Sequence, residues 1–237
     1  MNKKKLIVLT GSGMSAESGL STFRGSGGLW EGADVMDVAS LDGWNRDPEK
    51  VLEFYNLRRR QLRNARPNEG HKALVDLEKK YDVTVITQNV DNLHEKAGSA
   101  NVIHLHGELT KARPVDAAKP VVDIGYAEIN IGDCDENGRQ LRPDIVWFGE
   151  LVPMMDVAAQ YVASCEILLV IGTSLVVYPA AGLLDLVPVS TPVYVVDPNR
   201  PEYHFSDRAT FITEKSSVGT PKLVQKLLKD SAVSLFL

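Results

Sequence analysis

"LIVLTGSGMSAESGLSTFRG", residues Leu6 to Gly25, decides how the chain is read. Leu6 to Leu9 form an apolar run with the look of a short strand buried on both faces, and Gly11-Ser12-Gly13 ends it in a turn. Glycine tolerates positive φ and lets a ligand come close to the backbone. The spacing Gly11-x-Gly13-x-x-Ala16 fits the loose dinucleotide fingerprint G-x-G-x-x-G/A, which seats a pyrophosphate at the start of the following helix. A plain β-to-α turn would use the same residues, so the remainder of the chain has to choose between the two.

Further along, apolar runs alternate with amphipathic ones. Strands are expected at Lys5–Thr10, Val83–Thr87, Val102–Leu105, Ile167–Ile171, Val193–Val196 and Ala209–Ile212. Helices are expected at Pro48–Asn64, Asn68–Lys80, Met155–Ser164, Pro179–Leu186 and Pro221–Leu228, with Asp47-Pro48 and Asn68 as caps. The alternation predicts an α/β fold, a Rossmann-like parallel sheet with helices on both faces. Ligands of such sheets sit outside the carboxyl ends of the strands. Four segments therefore converge on one crevice: Gly11–Ser15, Gln88–Asp91, His104–Gly107 and Gly172–Ser174. Residues 111–143 break the alternation with scattered Pro and Gly. They read as a small lobe inserted in a single domain spanning 1–237, with a hairpin through Val121–Tyr126 and Glu128–Ile131.

Composition narrows the function classes. Apolar and charged fractions of 44% and 24% are those of an ordinary globular domain. A net charge of -5 argues against a direct nucleic-acid site. Met1-Asn2-Lys3-Lys4-Lys5 imitates the start of a secretion signal, but the apolar run behind it is too short. No stretch approaches the ~20 apolar residues of a membrane helix, and the apolar "VSLFL" ending is brief enough to dock on the body. Cys134 and Cys165, far apart, give no disulfide framework and suit a reducing cytoplasm. Neither belongs to a C-x-x-C pair, so no metal site is expected.

The strand ends carry the chemistry. In "TQNVDNLH", Gln88, Asn89 and Asp91 cluster where orienting hydrogen bonds are placed, although Asp91 would also serve as an ordinary helix cap. In "VIHLHGEL", His104 and His106 share one strand face, which is compatible with metal ligands, an acid–base site or a structural pair. His106, at the strand end beside Gly107, is the better general base. Trp147 and Phe148 in "RPDIVWFGE" suit a core or the wall of an aromatic tunnel. Gly172-Thr173-Ser174 repeats the polar-turn theme, and Asp197 ends a further strand before Pro198.

Together, "GSGMSAESGLSTFRG", "TQNVDNLH", "HLHGEL", "PDIVWFGE" and "GTSLVVYPAAG" resemble, in order and spacing, the sirtuins, NAD-dependent protein-lysine deacylases. The resemblance runs from Leu6 to about Leu228 and is strongest with short bacterial members. It implies NAD-consuming deacylation that releases nicotinamide and O-acyl-ADP-ribose, with acetyl- or succinyl-lysine proteins as partners and His106 as the catalytic base. It assigns Gly11, Ser12, Gly13, Met14, Ser15 and Glu17 to the pyrophosphate loop and its helix, and Thr22, Phe23, Arg24 and Trp30 to a cofactor loop over the nicotinamide end. Gln88, Asn89 and Asp91 are assigned to the nicotinamide pocket, Gly172, Thr173, Ser174 and Asn199 to the adenosine side, and Val146, Trp147, Phe148 and Gly149 to the acyl-lysine tunnel.

Tyr55 and Arg58 in "EFYNLRRR" match the Tyr-x-x-Arg of desuccinylase-like sirtuins, where phenol and guanidinium hold the distal carboxylate of succinyl- or malonyl-lysine. Arg58, Arg59, Arg60 and Arg63 would otherwise form a solvated basic face. One departure stands out. Most sirtuins carry two cysteine pairs in the small lobe, and this lobe has only Cys134, so zinc is not expected and packing through Val121, Ile124, Tyr126 and Ile129 would hold it. Two alternatives keep the cofactor: mono-ADP-ribosyl transfer to protein, or an NAD sensor with weak catalysis.

Overall fold

The computed structural model describes residues 3–22, 29–30, 32–201, 203 and 209–229. In chain order, β1 (Lys5–Thr10) leads into two short 3-10 turns at Ser12–Met14 and Ala16–Ser18, then β2 (Leu29–Trp30) and β3 (Ala33–Asp34). Helices α1 (Val35–Val38), α2 (Leu41–Arg46), α3 (Pro48–Asn64) and α4 (Glu69–Leu77) precede β4 (Asp82–Thr87), α5 (Leu93–Ala97) and β5 (Val102–His104). The strands β6 (Gly107–Pro114), β7 (Val122–Asp123) and β8 (Leu141–Ile145) follow. The chain then forms α6 (Met155–Ala163), β9 (Ile167–Ile171), a 3-10 helix Ala180–Leu186, β10 (Val193–Val196), β11 (Ala209–Ile212) and α7 (Ser216–Lys229).

Six strands pair in parallel in the order β11-β10-β9-β1-β4-β5. This is the doubly wound arrangement, and its order reverses between β1 and β9. Alternate residues of β1 feed opposite layers. Ile7 and Leu9 pack with Leu168, Val170 and Val195 on one face, while Leu6 and Val8 join Val83, Val85, Leu74 and Leu223 on the other. Both faces are covered, which is why these strands read as unbroken Val/Ile/Leu runs.

The six main strands fall where the residues predict, and α3 has the predicted bounds. Three expectations need correction. The segment after Gly11 forms two 3-10 turns rather than a helix. Pro179–Leu186 is likewise a 3-10 helix, from Ala180. The last helix begins five residues before Pro221, at Ser216, whose hydroxyl donates to the Gly13 carbonyl.

The lobe also departs from the expected hairpin. Val122–Asp123 pairs with Lys111–Ala112, in a three-stranded antiparallel sheet of order β7-β6-β8. Glu128–Ile131 forms no strand, because α3 takes over its backbone: the Asn56 amide donates to the Ile129 carbonyl and accepts from the Ile129 N–H, both at 2.9 Å. Arg59 Nε donates to the Ala127 carbonyl beside it. Ile129 is buried and Ile124 and Tyr126 pack against the same cluster, but Val121 is 40% exposed and takes no part in holding the lobe.

Candidate active site

The two central strands end in glycine turns that lock together. Gly11 N–H donates to the Ile171 carbonyl at 3.1 Å, and Gly13 N–H to the Gly172 carbonyl at 2.8 Å. A Cβ on Gly13 would stand 2.8 Å from Gly172 Cα, and Gly172 has φ +62°, so both positions exclude a side chain. The crevice at the reversal of strand order opens beside this junction.

The third turn supplies amide and carboxylate groups. Asn89 Nδ2 donates to the Gly11 carbonyl at 3.0 Å and to Ser15 Oγ at 3.2 Å, and Ser15 Oγ donates to Asp91 Oδ2 at 2.8 Å. Gln88 Nε2 donates to Thr173 Oγ1 at 3.1 Å, so the second and fourth crevice segments are joined as well. Burial pushes the Asp91 carboxyl above its ordinary range, against hydrogen bonds from the Leu93 N–H and Ser15 that favour the carboxylate.

His104 and His106 grip successive carbonyls of that turn, Asn89 and Gln88, each through Nδ1 at 3.0 Å. A carbonyl only accepts, so His106 Nδ1 carries its proton and Nε2 is the basic nitrogen. Burial lowers the His106 pKa, which keeps the imidazole neutral. His104 is different. Burial opposes its charge, but the hydrogen bond and charge of Glu95, 2.7 Å from Nε2, prevail and raise its pKa. With the Asn89 carbonyl at Nδ1 and the Glu95 carboxylate at Nε2, both ring nitrogens are engaged and His104 braces the Asn89 turn.

At the other end of the cleft lie Trp30, Tyr55, Arg58, Val146, Trp147, Phe148 and Gly149. Tyr55 and Arg58 sit one turn apart on α3 and are buried, which removes Arg58 from a solvated basic face. The Arg58 guanidinium lies 4.9 Å from the Trp30 ring centroid. Trp147 is both core and cleft wall: it is 1% exposed and packs against Trp44 and Tyr55, yet borders the opening.

Gly11, Ser12, Ser15, Gln88, Asn89, Asp91, His106, Thr173 and Ser174 all line this same cleft. Other predicted residues are placed elsewhere. Met14 is fully buried beneath the turn, among Leu6, Val8 and Leu74. Glu17 is exposed and accepts from the Ser217 N–H at the start of α7. Asn199 stands on an exposed turn held by Asp197. Gly13, Gly172 and Thr22 are neighbours of the lining rather than part of it, and Phe23 and Arg24 lie outside the described residues. Sequence reasoning missed Leu20, Ser21, Ile145, Val177 and Tyr178, which also border the cleft; none of the five carries a signal of its own.

Hydroxyls, carboxamides and the Asp91 carboxylate around two turns whose glycines leave no room for a Cβ fit a ligand made of phosphates and ribose hydroxyls, so NAD suits these residues. Among the described residues no three His, Cys, Asp or Glu groups come together, and Cys134 is exposed. In the lobe, the Gln140 side chain accepts from the Gly132 N–H at 2.7 Å and donates to the Asn130 and Asp133 carbonyls. Arg139 clamps Asp135 through Nε and a terminal nitrogen, at 2.8 and 2.6 Å, and holds that carboxyl down at about 2.

Known proteins share this architecture. An NAD-dependent protein deacylase of Bacteroides thetaiotaomicron is 50% identical over 233 residues, covering 95% of this chain and 98% of that protein. One from Helicobacter pylori, strain 26695, is 47% identical over 226 residues, at 95% and 98% coverage. A solved Sir2 homologue–NAD complex superposes with a TM-score of 0.86 at 37% identity, covering 96% of this chain and 91% of that one. Sir2Tm bound to a propionylated peptide gives 0.75 at 27% identity, with coverage of 98% and 94%. The sequence model of the Sir2 family matches residues 11–179. With its glycine turns, its Gln88–Asp91 segment and His106 all inside that span, the chain belongs to the Sir2 family.

Proposed function

We propose that this protein is an NAD-dependent protein-lysine deacylase that removes succinyl and malonyl groups as well as acetyl groups. Deacylation itself is the activity named for its relatives in Bacteroides thetaiotaomicron and Helicobacter pylori, and a Sir2 neighbour binds a propionylated peptide. The observation that carries the acyl range is that Tyr55, Arg58 and His106 line one cleft. A guanidinium and a phenol withdrawn from water at the acyl end match a distal carboxylate, which a guanidinium recognises by paired hydrogen bonds.

The chain's own residues divide the work. Gly11, Ser12, Ser15, Gln88, Asn89, Asp91, Thr173 and Ser174 would hold NAD, which when bound supplies an electrophilic ribose carbon. His106 Nε2 is placed to take a proton from a hydroxyl in the cleft, while Nδ1 stays fixed on the Gln88 carbonyl. Val146 to Gly149 flank the acyl-lysine, and the apolar walls Leu20, Leu109 and Ile145 keep water away. Acylated proteins in a reducing cytoplasm are the partners this reading names. Among the described residues no helix is long and apolar enough to cross a membrane.

The test is incubation with NAD and matched acetyl- and succinyl-lysine peptides, followed by mass spectrometry. Removal of succinyl with formation of O-succinyl-ADP-ribose is expected. ADP-ribose on a protein, without loss of either acyl group, would establish the transferase alternative instead.

A further inference from the structure

Tyr55 lines the cleft beside Arg58, one helical turn away, and its hydrogen bonding is constrained. Trp147 Nε1–H donates to the Tyr55 hydroxyl oxygen at 3.0 Å. An indole nitrogen can only donate, so the phenol must accept there. A phenol has a single proton, and no other described residue hydrogen-bonds to this hydroxyl. Because Tyr55 lines the cleft, a group that enters there can accept this proton.

The indole is not free to turn away. Fully buried Arg142 lays its guanidinium 3.2 Å from the Trp147 ring centroid. The same guanidinium meets both Glu150 oxygens, at 2.8 and 3.0 Å, and donates to the Ile145 carbonyl at 2.8 Å. Glu150 in turn accepts from the Trp147 backbone N–H at 2.8 Å. Ring and backbone of Trp147 are thus fixed by one ion pair, with Trp44 packed at 5.5 Å.

We propose that Trp147, locked by the Arg142–Glu150 pair, is a specificity-determining residue: it turns the Tyr55 hydroxyl into a dedicated hydrogen-bond donor for the terminal carboxylate of a dicarboxylic acyl-lysine. This rests on the acyl range proposed above. A carboxylate is acceptor-only and takes that proton; the methyl end of an acetyl group has no acceptor to offer. Burial raises the Tyr55 pKa, so the donor keeps its proton across the working range. Arg142 is a positioning residue, acting on the ligand only through Trp147.

The experiment measures kcat/KM for succinyl- and acetyl-lysine peptides of one sequence with wild type, Tyr55→Phe, Trp147→Phe and the double variant. Each single substitution is expected to lower the succinyl-to-acetyl ratio about tenfold, in line with a hydrogen bond to a charged group. The double variant should fall no further than either single one. Trp147→Phe lowering both substrates alike, or the two effects multiplying, would overturn the inference while leaving the acyl range standing. A ratio unmoved by Tyr55→Phe would overturn the acyl range itself. Should Trp147→Phe fail to fold, Tyr55→Phe still decides: loss of one oxygen must shift the Trp147 indole N–H resonance and speed its hydrogen exchange, and an unmoved resonance would overturn the contact.

Discussion

His106 Nδ1 lies 3.0 Å from the main-chain carbonyl of Gln88, and that single contact sets which nitrogen can act as a base. His106 lines the cleft, and Nε2 carries the ring's lone pair. His106→Ala should lower kcat by 10²–10⁴-fold, the usual range for a lost general base, with the melting temperature little changed. Because burial lowers the His106 pKa, the acid limb of the kcat/KM profile should lie below the ordinary imidazole value of 6.5. Rates across pH 5 to 8 check this; a limb above 6.5 would mean that another group titrates.

Arg58 is held against Trp30 on the cleft wall. Arg58→Met should raise KM for succinyl-lysine tenfold or more, as expected for a lost charge-assisted hydrogen bond, and affect acetyl-lysine much less. Steady-state kinetics on the two peptides separate the effects. An equal change in both would mean that Arg58 shapes the wall and grips no carboxylate.

The lobe is fastened by Gln140, Arg139–Asp135 and the α3 contacts, with no cluster of metal ligands among the described residues. Exhaustive dialysis against a chelator should therefore leave both melting temperature and deacylation unchanged, and elemental analysis should find no stoichiometric zinc. One zinc per chain would contradict this account of the lobe.

Acid should weaken the fold through a buried histidine pair. His71 and His94 lie 4.9 Å apart with their rings tilted by 57°, and both residues are fully buried. Burial drives the His71 pKa down to about 4, and burial together with His71 lowers that of His94. The unfolded chain binds protons on these rings near 6.5, where the native state refuses them. Stability is full above 6.5 and falls as pH drops from 6.5 towards 4, with a loss on the order of 3 kcal/mol for His71. Thermal melts at pH 7.5 and 4.5 should show this drop, and His71→Gln should make it shallower.

Much of the fold was legible because parallel strands covered on both faces are written as unbroken apolar runs closed by glycine, proline or polar turns. Ile167–Ile171 before Gly172 is such a case. The crevice was legible for the same reason, since Gln88, Asn89, Asp91 and His106 all follow strand ends. Short elements escaped: α1, α2 and α5 have four, six and five residues, too few to display a period. The lobe escaped because Glu128–Ile131 is satisfied by a side chain 73 residues earlier in the chain, Asn56. The Trp147–Tyr55 contact spans 92 residues and leaves no local trace.

Helix α3 gives different residues to different tasks. Tyr55 and Arg58 look into the cleft, whereas Asn56 and Arg59, each next in line, hold the lobe by its backbone. In the proposed reading, the rod that contacts the acyl chain is thus also the spine on which the lobe is mounted. Any substitution that tilts or slides this rod to suit a longer acyl group drags the lobe along with it. Changes in substrate length and changes in lobe sequence are therefore expected to arrive together, as paired replacements, in descendants of this chain.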